Sequence, residues 1–183
     1  RGVQPLPLPI QPQTFLCQVG RYDLPAGQVS AADPLTGSHA TLFTQLSQAL
    51  SAFYNATVEL GVANQVTTFT ASDFGRTYSS NGDGSDHGWG NHHFILGGAV
   101  NGGNLYGTFP TMALGGPDDS GNRGVMIPTS LADQYGATMA SGFGVPQASL
   151  SAVFPNINNF PTADIGFMGA AEGGVRTLSM FRM

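Results

Sequence analysis

The sequence predicts an α/β fold with a partial doubly wound, mostly parallel sheet, flanking helices and long loops rich in glycine and proline. Two observations favour this class: a segment with helical periodicity lies between two short apolar runs, and 26 glycines and 12 prolines punctuate the 183 residues. A strand, a helix and a second strand in that order form a βαβ unit, whose strands run parallel. A chain of this length is also long enough to bury a core of its own.

The first βαβ unit follows from three consecutive segments. Residues 14–19 form an apolar run that predicts a buried strand, and Cys17 within it is expected to be a buried, unreactive thiol. Leucine and phenylalanine then recur at helical spacing from Ser38, the expected N-cap, to Gly61, the expected C-cap. Residues 66–70 are β-branched and apolar, which predicts the second strand.

The remaining elements are shorter. A long polar loop is expected before a third strand, and a second helix is expected late in the chain despite Gly136, which weakens it. The predicted segments are the loop at 73–92, strands at 93–96, 105–109 and 125–127, and a helix at about 130–141.

The chain divides into a leader, a domain and a tail. Residues 1–12 contain four prolines and favour an extended polyproline II leader. Residues 13–167 form the predicted single domain, and residues 168–183 form a tail without a strong period. The chain begins at Arg1 and shows no signal peptide, which leaves open that one has been removed.

The charge composition excludes several classes of protein. Charged residues make up only 9% of the chain, and its six arginines are scattered without a single lysine. Nucleic-acid binding requires a cationic surface, so we expect no nucleic-acid partner. No apolar run is long enough for a membrane span. The absence of lysine excludes Schiff-base chemistry, and no nucleophile elbow or phosphate-binding glycine motif is present.

A candidate site lies where the predicted strands end. Asp23 and Asp73 follow the two strands of the βαβ unit, and ligands of parallel sheets gather at such carboxyl ends. Residues 72–93 hold three of the four histidines together with Arg76 and the single tryptophan. Histidine and aspartate together suit a divalent ion such as Zn²⁺ or Mn²⁺. The alternative is a hydrogen-bonded loop whose aspartates accept backbone N–H groups.

The other histidines carry weaker signals. His39 lies in the first turn of the long helix, where a structural role is expected. His92 and His93 are adjacent at the start of a predicted strand, so they point to opposite faces and at most one faces a site.

Several motifs together resemble a known family. They are DFGRT at 73–77, GSDHGWGNH at 84–92 and glycine pairs at 97–98 and 102–103, with further matches at 105–110, 114–119 and 133–138. The chain is similar over residues 13–167 to a large uncharacterised bacterial family, whose members are usually exported through the twin-arginine pathway. That family is distantly similar to the alkaline phosphatase and sulfatase superfamily.

The resemblance implies a metal-dependent hydrolase of phosphate, sulfate or related esters in the periplasm or outside the cell. Carried over by position, Asp23, Asp73 and His87 would hold a divalent ion, such as zinc, manganese or calcium. Arg76 and His87 would be catalytic, with Arg76 contacting the anionic group of a small ester substrate.

Two departures from the family pattern favour an alternative function. The pattern has glycine where Arg21 stands and histidine where Pro25 stands, and proline has no ligating atom. The chain also resembles only the C-terminal portion of the longer family domain. These features favour a non-catalytic binding or structural fragment of such an enzyme. A sheet cut in this way would expose its edges, which predicts possible self-association.

Overall fold

A computed structural model describes residues 13–33 and 35–169, together with the backbone of residues 177–182. The predicted leader at 1–12 lies outside the described residues, as do residues 170–176 of the predicted tail. The described part of the tail contains a strand that the sequence pattern did not predict.

The described residues contain six strands and three helices. The strands are β1 (Thr14–Gln18), β2 (Val66–Ala71), β3 (Gly75–Ser80), β4 (Ser85–Gly88), β5 (Ile95–Leu96) and β6 (Thr177–Arg182). The helices are α1 (Ser38–Glu59), α2 (Ala132–Phe143) and the single turn α3 (Leu150–Val153). Short 3₁₀ turns occur at Ala63–Gln65, Gln147–Ser149 and Ile157–Asn159. The predicted first strand, long helix, second strand and second helix are therefore present, with ends shifted by a few residues.

The main sheet has the strand order β1-β6-β2-β5. Strand β6 pairs in parallel with both β1 and β2, so β1 and β2 run in the same direction, as the βαβ pattern predicts, but with β6 between them. Strand β5 is antiparallel to β2. Strands β3 and β4 form a separate antiparallel hairpin.

The fold is thus mixed α/β, and the prediction of a doubly wound, mostly parallel sheet is wrong. The described residues form a small mixed sheet and a separate two-stranded ribbon instead. The physical reason lies in residues 75–88, which were expected to be part of a loop. They make two strands joined by a short turn, and such a connection allows only antiparallel pairing.

Strand β1 lies at an edge of the main sheet and is exposed along its whole length. The prediction that it is buried is therefore wrong, and Cys17 is an exposed thiol rather than a buried one. Phe15 and Leu16 are also exposed. An edge strand with apolar side chains on its surface is a surface that a further strand or chain can cover.

Helix α1 contacts the rest of the domain along a narrow stripe. Its buried residues are Leu46, Leu50 and Thr57, and the first two are one helical turn apart. The residue before the helix is Gly37, with φ 125°, so Ser38 begins the helix rather than capping it. None of the helices in the described residues is long and apolar enough to cross a membrane.

The described residues form two hydrophobic clusters in the core. Phe69 of β2 packs with Met139 of α2 and with Phe167, and Ile95 and Tyr135 border this cluster. The second cluster joins α2 to α3 and contains Ala137, Leu150 and Ile157. Helix α2 tolerates Gly136, which was expected to weaken it, because the ring of Phe154 packs where a side chain would stand.

Several predicted strands do not form. The third strand is restricted to β5, and residues 105–109 and 125–127 lie outside the extended strands of the structure. In the loops between β5 and α2, Asp119 and Met126 make only an isolated antiparallel bridge. Asp119 instead accepts hydrogen bonds from backbone N–H groups, those of Gly115, Gly121, Gly124 and Val125. Side-chain hydrogen bonds therefore hold this region where strand pairing was expected.

Candidate functional site

A cavity of about 840 Å³ lies between the segment that follows β1, the junction of β2 and β3, and two loops from the later part of the chain. Asp23, Asp73 and Arg76 all line it. Asp23 follows β1 and Asp73 follows β2, as the sequence predicts for strand ends in a parallel arrangement. The structure thus brings three of the four predicted site residues to one cavity.

The guanidinium group of Arg76 joins three parts of the site. Its Nη2 donates to Oδ1 of Asp23 at 2.8 Å and to the carbonyl oxygen of Tyr22 at 3.3 Å, and its Nη1 donates to the carbonyl oxygen of Ser85 at 2.9 Å. The guanidinium carbon lies 5.2 Å from the centre of the Phe74 ring. Arg76 is therefore engaged on several sides and fixes the segment after β1 onto the β3–β4 hairpin.

His87 approaches the same carboxylate from the neighbouring strand. Its Nε2 lies 2.8 Å from Oδ1 of Asp23, and its ring stacks on Phe74 with 3.8 Å between the ring centres. The hydrogen bond with His87 is the largest cause that lowers the pKa of the Asp23 carboxyl; burial opposes it, and the hydrogen bond with Arg76 lowers this pKa further. His87 lies beside Asp23 but is not among the residues that line the cavity.

The aspartates near the hairpin turn have structural roles. Asp83 accepts hydrogen bonds from the backbone N–H of Gly27 through its carboxylate and from that of Gln28 through its carbonyl. The side chain of Asn81 donates to the carbonyl oxygen of Pro25 at 2.9 Å. These contacts match the alternative prediction of a hydrogen-bonded loop for this part of the sequence. Pro25 contributes its backbone to the loop but offers no side-chain ligand to a metal.

His92 and His93 are adjacent in the sequence but lie in different environments, as predicted. His92 lines the cavity and stacks on Phe109, with 5.2 Å between the ring centres. His93 instead stacks on Tyr135, and its Nδ1 lies 3.4 Å from Oγ1 of Thr70. Burial, with a smaller effect from the charge of His92, lowers the pKa of His93.

The remaining predicted histidine also reaches the cavity. His39 lines it and meets the ring of Phe43 edge to face at 5.1 Å. Burial, followed by the charge of Arg76, lowers the pKa of His39. This contact with Phe43 is consistent with the structural role expected for His39.

The metal site expected at Asp23, Asp73 and His87 stays a prediction. Among the residues that the structure describes, no group of three or more His, Cys, Asp or Glu side chains is close enough to hold a metal ion. In addition, Oδ1 of Asp23 is already contacted by the Arg76 guanidinium and by Nε2 of His87. A divalent cation at this oxygen would have to overcome repulsion from the arginine. The donor types of Asp23, Asp73 and His87 suit a metal, whereas the contacts of Asp23 with Arg76 and His87 occupy one of its carboxylate oxygens.

Apolar and aromatic side chains form most of the remaining wall of the cavity. They include Phe43, Phe74, Leu105, Phe109, Met112 and Ile127. Leu105 is 89% exposed and Phe109 is 61% exposed, so both lie at the rim. Sequence reasoning missed this wall, although residues 105–110 belong to one of the motifs that carry the family resemblance. A cavity with a charged end and an apolar wall is typical of small-molecule sites.

The described residues therefore form a mixed α/β domain with a cavity of about 840 Å³ beside Asp23, Asp73 and Arg76. A family model with the description "Protein of unknown function (DUF1501)" matches residues 33–143, and the chain belongs to this family. The matched segment contains Asp73, Arg76 and His87 and begins after Asp23. No curated protein matches the chain, and no solved structure does.

Proposed function

We propose that this chain is a hydrolase-like domain that binds a small ester, with an anionic group and an apolar body, in the cavity. The observation that carries the proposal is that Asp23, from the segment after β1, lines the same cavity as Asp73 and Arg76 of the β2–β3 junction. The resemblance to the alkaline phosphatase and sulfatase superfamily suggests phosphate, sulfate or related esters. A periplasmic or secreted location belongs to the same proposal.

The two carboxylates of the cavity have different tasks in this proposal. A general base must take a proton from the attacking water, and a carboxyl with a lowered pKa is a weaker base. The pKa of Asp23 is lowered by its contacts with His87 and Arg76. We assign water activation to Asp73, the second carboxylate that lines the cavity. Asp23, Arg76 and His87 act by positioning the segment that forms the charged end.

Dependence on a divalent ion is a separate question, because no group of three or more His, Cys, Asp or Glu side chains that could hold a metal is found among the described residues. No step of the proposed reaction is assigned to a metal. The resemblance nevertheless implies zinc, manganese or calcium, so the assay must include these ions.

A non-catalytic binding domain is the second candidate function. It is favoured by Pro25, which supplies no side-chain ligand, and by the hydrogen bonds of the Arg76 guanidinium to Tyr22, Asp23 and Ser85. This candidate predicts that ligands saturate the cavity without turnover.

A panel of chromogenic esters distinguishes the two candidates. The purified chain is assayed with p-nitrophenyl phosphate, sulfate and acetate, with a chelator and with each of the three ions. The hydrolase proposal expects turnover that Asp73→Asn reduces by roughly 100-fold or more, as for loss of a general base. Glu59→Gln, at the exposed end of α1, removes the same charge far from the cavity and should leave turnover unchanged.

Absence of turnover from every ester and under every metal condition would contradict the hydrolase proposal. Saturable binding of phenylphosphonate, measured by calorimetry in the same preparation, would then support the second candidate. Equal melting temperatures of Asp73→Asn and Glu59→Gln would show that the comparison is between folded proteins.

The exposed edge of β1 also supports the expectation of self-association. Phe15 is 52% exposed and Leu16 is 58% exposed on this edge strand. Edge strands with apolar residues pair readily with other chains unless they are covered. Light scattering after size-exclusion chromatography should show a dimer or larger species that Leu16→Lys shifts to the monomer. A monomeric parent protein would contradict this expectation.

A further inference from the structure

Arg21 places a second cationic side chain on the wall of the cavity. Arg76 and Arg123 each form an ion pair with an aspartate. The Arg21 side chain, by contrast, forms no hydrogen bond or ion pair within the described part of the chain. Its charge is therefore available to a ligand, whereas the charge of Arg76 is neutralised by Asp23.

The backbone at Arg21 adopts a conformation that suits glycine better than arginine. Its φ is 74°, one of two positive values at non-glycine residues in the described chain. A side chain is strained in this region because Cβ comes too close to the backbone. The family pattern has glycine at this position, which fits the observed backbone. Strained residues of this kind cluster at ligand sites, where the side chain's function outweighs its conformational cost.

The neighbouring contacts anchor the backbone beside Arg21. The hydroxyl of Tyr22 donates to the carbonyl oxygen of Leu42 at 2.8 Å, which ties the segment to α1. The carbonyl oxygen of Tyr22 accepts from the backbone N–H of Leu24 and from Arg76. The chain on the C-terminal side of Arg21 is therefore anchored to both the helix and the hairpin.

We propose that Arg21 binds the anionic group of the ligand in the cavity. The inference rests on the proposed function for the existence of a ligand and goes beyond it by naming the anion-binding residue. Arg76, assigned that task by the family resemblance, then serves to hold Asp23 and the segment that carries Arg21. The apolar wall formed by Leu105 and Phe109 accommodates the body of the ligand.

Calorimetric binding of phenylphosphonate tests this inference, because this anion cannot be hydrolysed as an ester. We expect Arg21→Gly to weaken its binding by about tenfold or more, as for loss of a charged hydrogen-bond partner. Arg21→Lys should retain an intermediate affinity because it keeps the charge. Arg123→Gln removes a cation outside the cavity and should bind like the parent. Benzyl alcohol, an uncharged probe, should bind Arg21→Gly and the parent equally.

The melting temperature distinguishes a role of Arg21 in ligand binding from a role in folding. Arg21→Gly relieves the strained backbone, so its melting temperature should be equal to or higher than that of the parent while binding is lost. A lower melting temperature together with weaker binding would overturn the inference, because arginine would then act in folding.

The two proposals can fail separately. Equal affinity of parent and Arg21→Gly for phenylphosphonate would overturn the role of Arg21, even if the parent hydrolyses esters. Failure of the parent to bind the anion at all would overturn that role too. Loss of binding in Arg21→Gly without turnover of any ester would support the anion site and contradict the hydrolase proposal.

Discussion

Arg76 lies directly opposite His87 in the antiparallel β3–β4 hairpin. Residues in such register place their side chains on the same face of the ribbon. Both side chains end at Oδ1 of Asp23, each at 2.8 Å. The Asp23 carboxylate thus links the segment after β1 to the hairpin. These linked residues form the charged end of the cavity.

His87→Leu should raise the pKa of the Asp23 carboxyl toward its ordinary value of 3.8, because the hydrogen bond with His87 is the largest cause of its lowering. A carboxyl with a lowered pKa in the folded protein contributes stability above its unfolded pKa. That contribution is lost as the pH falls through the lowered value. The parent should therefore lose stability below about pH 4 more steeply than the variant. Carboxyl NMR titration measures the pKa, and denaturant unfolding at several acidic pH values measures the stability.

Arg123→Gln provides the matched control for this titration. It breaks the surface ion pair with Asp86 and leaves both contacts of Asp23 intact. The Asp23 resonance should titrate in this variant as in the parent. A titration midpoint of Asp23 that is the same in the parent and in His87→Leu would contradict the assigned hydrogen bond.

Gly75→Ala should destabilise the hairpin that carries Arg76. A methyl group added at Gly75 would overlap the carbonyl oxygen of Gly90, which is backbone and has no flexible end to move. Overpacking of this kind costs about 1–3 kcal/mol. Urea unfolding should show this loss. Gly102→Ala is the matched control, because nothing lies within 4 Å of its added carbon. The free energy of unfolding of Gly102→Ala should stay within about 0.5 kcal/mol of that of the parent. Equal losses in the two variants would contradict the overlap at Gly75.

The sequence predicts the parts of the fold that have a local signal. Helix α1 and strand β2 have clear periodicity or β-branched composition, and Asp23 and Asp73, which follow β1 and β2, line one cavity as expected. The β3–β4 hairpin has no alternating pattern, because Gly75 and Gly88 replace side chains where the backbone passes close to its neighbours. Its formation depends on tertiary contacts that a local pattern does not contain.

The position of β6 and the wall of the cavity were unpredictable for a similar reason. Strand β6 pairs with β1 and β2, which are more than 100 residues away in the sequence, and its segment has no strong period. Leu105 and Phe109 reach the cavity through loops whose course depends on Asp119, a single side chain that holds several amides. Contacts between residues far apart in the sequence decide the strand order and the loop conformation, and local sequence propensity does not predict them.

Asp119→Ala should release the loop that precedes α2. The carboxylate of Asp119 accepts four backbone hydrogen bonds, from Gly115, Gly121, Gly124 and Val125, and these bonds lower its pKa. Without them, the four amides should exchange with solvent at least about tenfold faster in hydrogen-exchange NMR. Asp118→Ala frees the amide of Thr111 and serves as the control. Unchanged exchange at the four amides in Asp119→Ala would show that other contacts hold the loop.

His93 should make the stability of the domain fall as the pH falls below neutrality. Its pKa in the folded protein is lowered from the ordinary 6.5, first by burial and then by the charge of His92. The unfolded chain therefore takes up the proton first, so stability is full above about pH 6.5 and declines below it until the folded pKa is reached. Melting temperatures measured from about pH 8 to pH 5 should show this decline.

His93→Gln should flatten that decline because its side chain does not titrate, and the stacking partner Tyr135 remains in place. The decline should not vanish, since His39 is also buried enough to have a lowered pKa and contributes a dependence of the same sign. His92→Gln removes only the second cause of the shift at His93 and should flatten the profile less than His93→Gln does. Identical pH profiles for the parent and His93→Gln would contradict this prediction. They would show that the pH dependence of the free energy of unfolding comes from other groups.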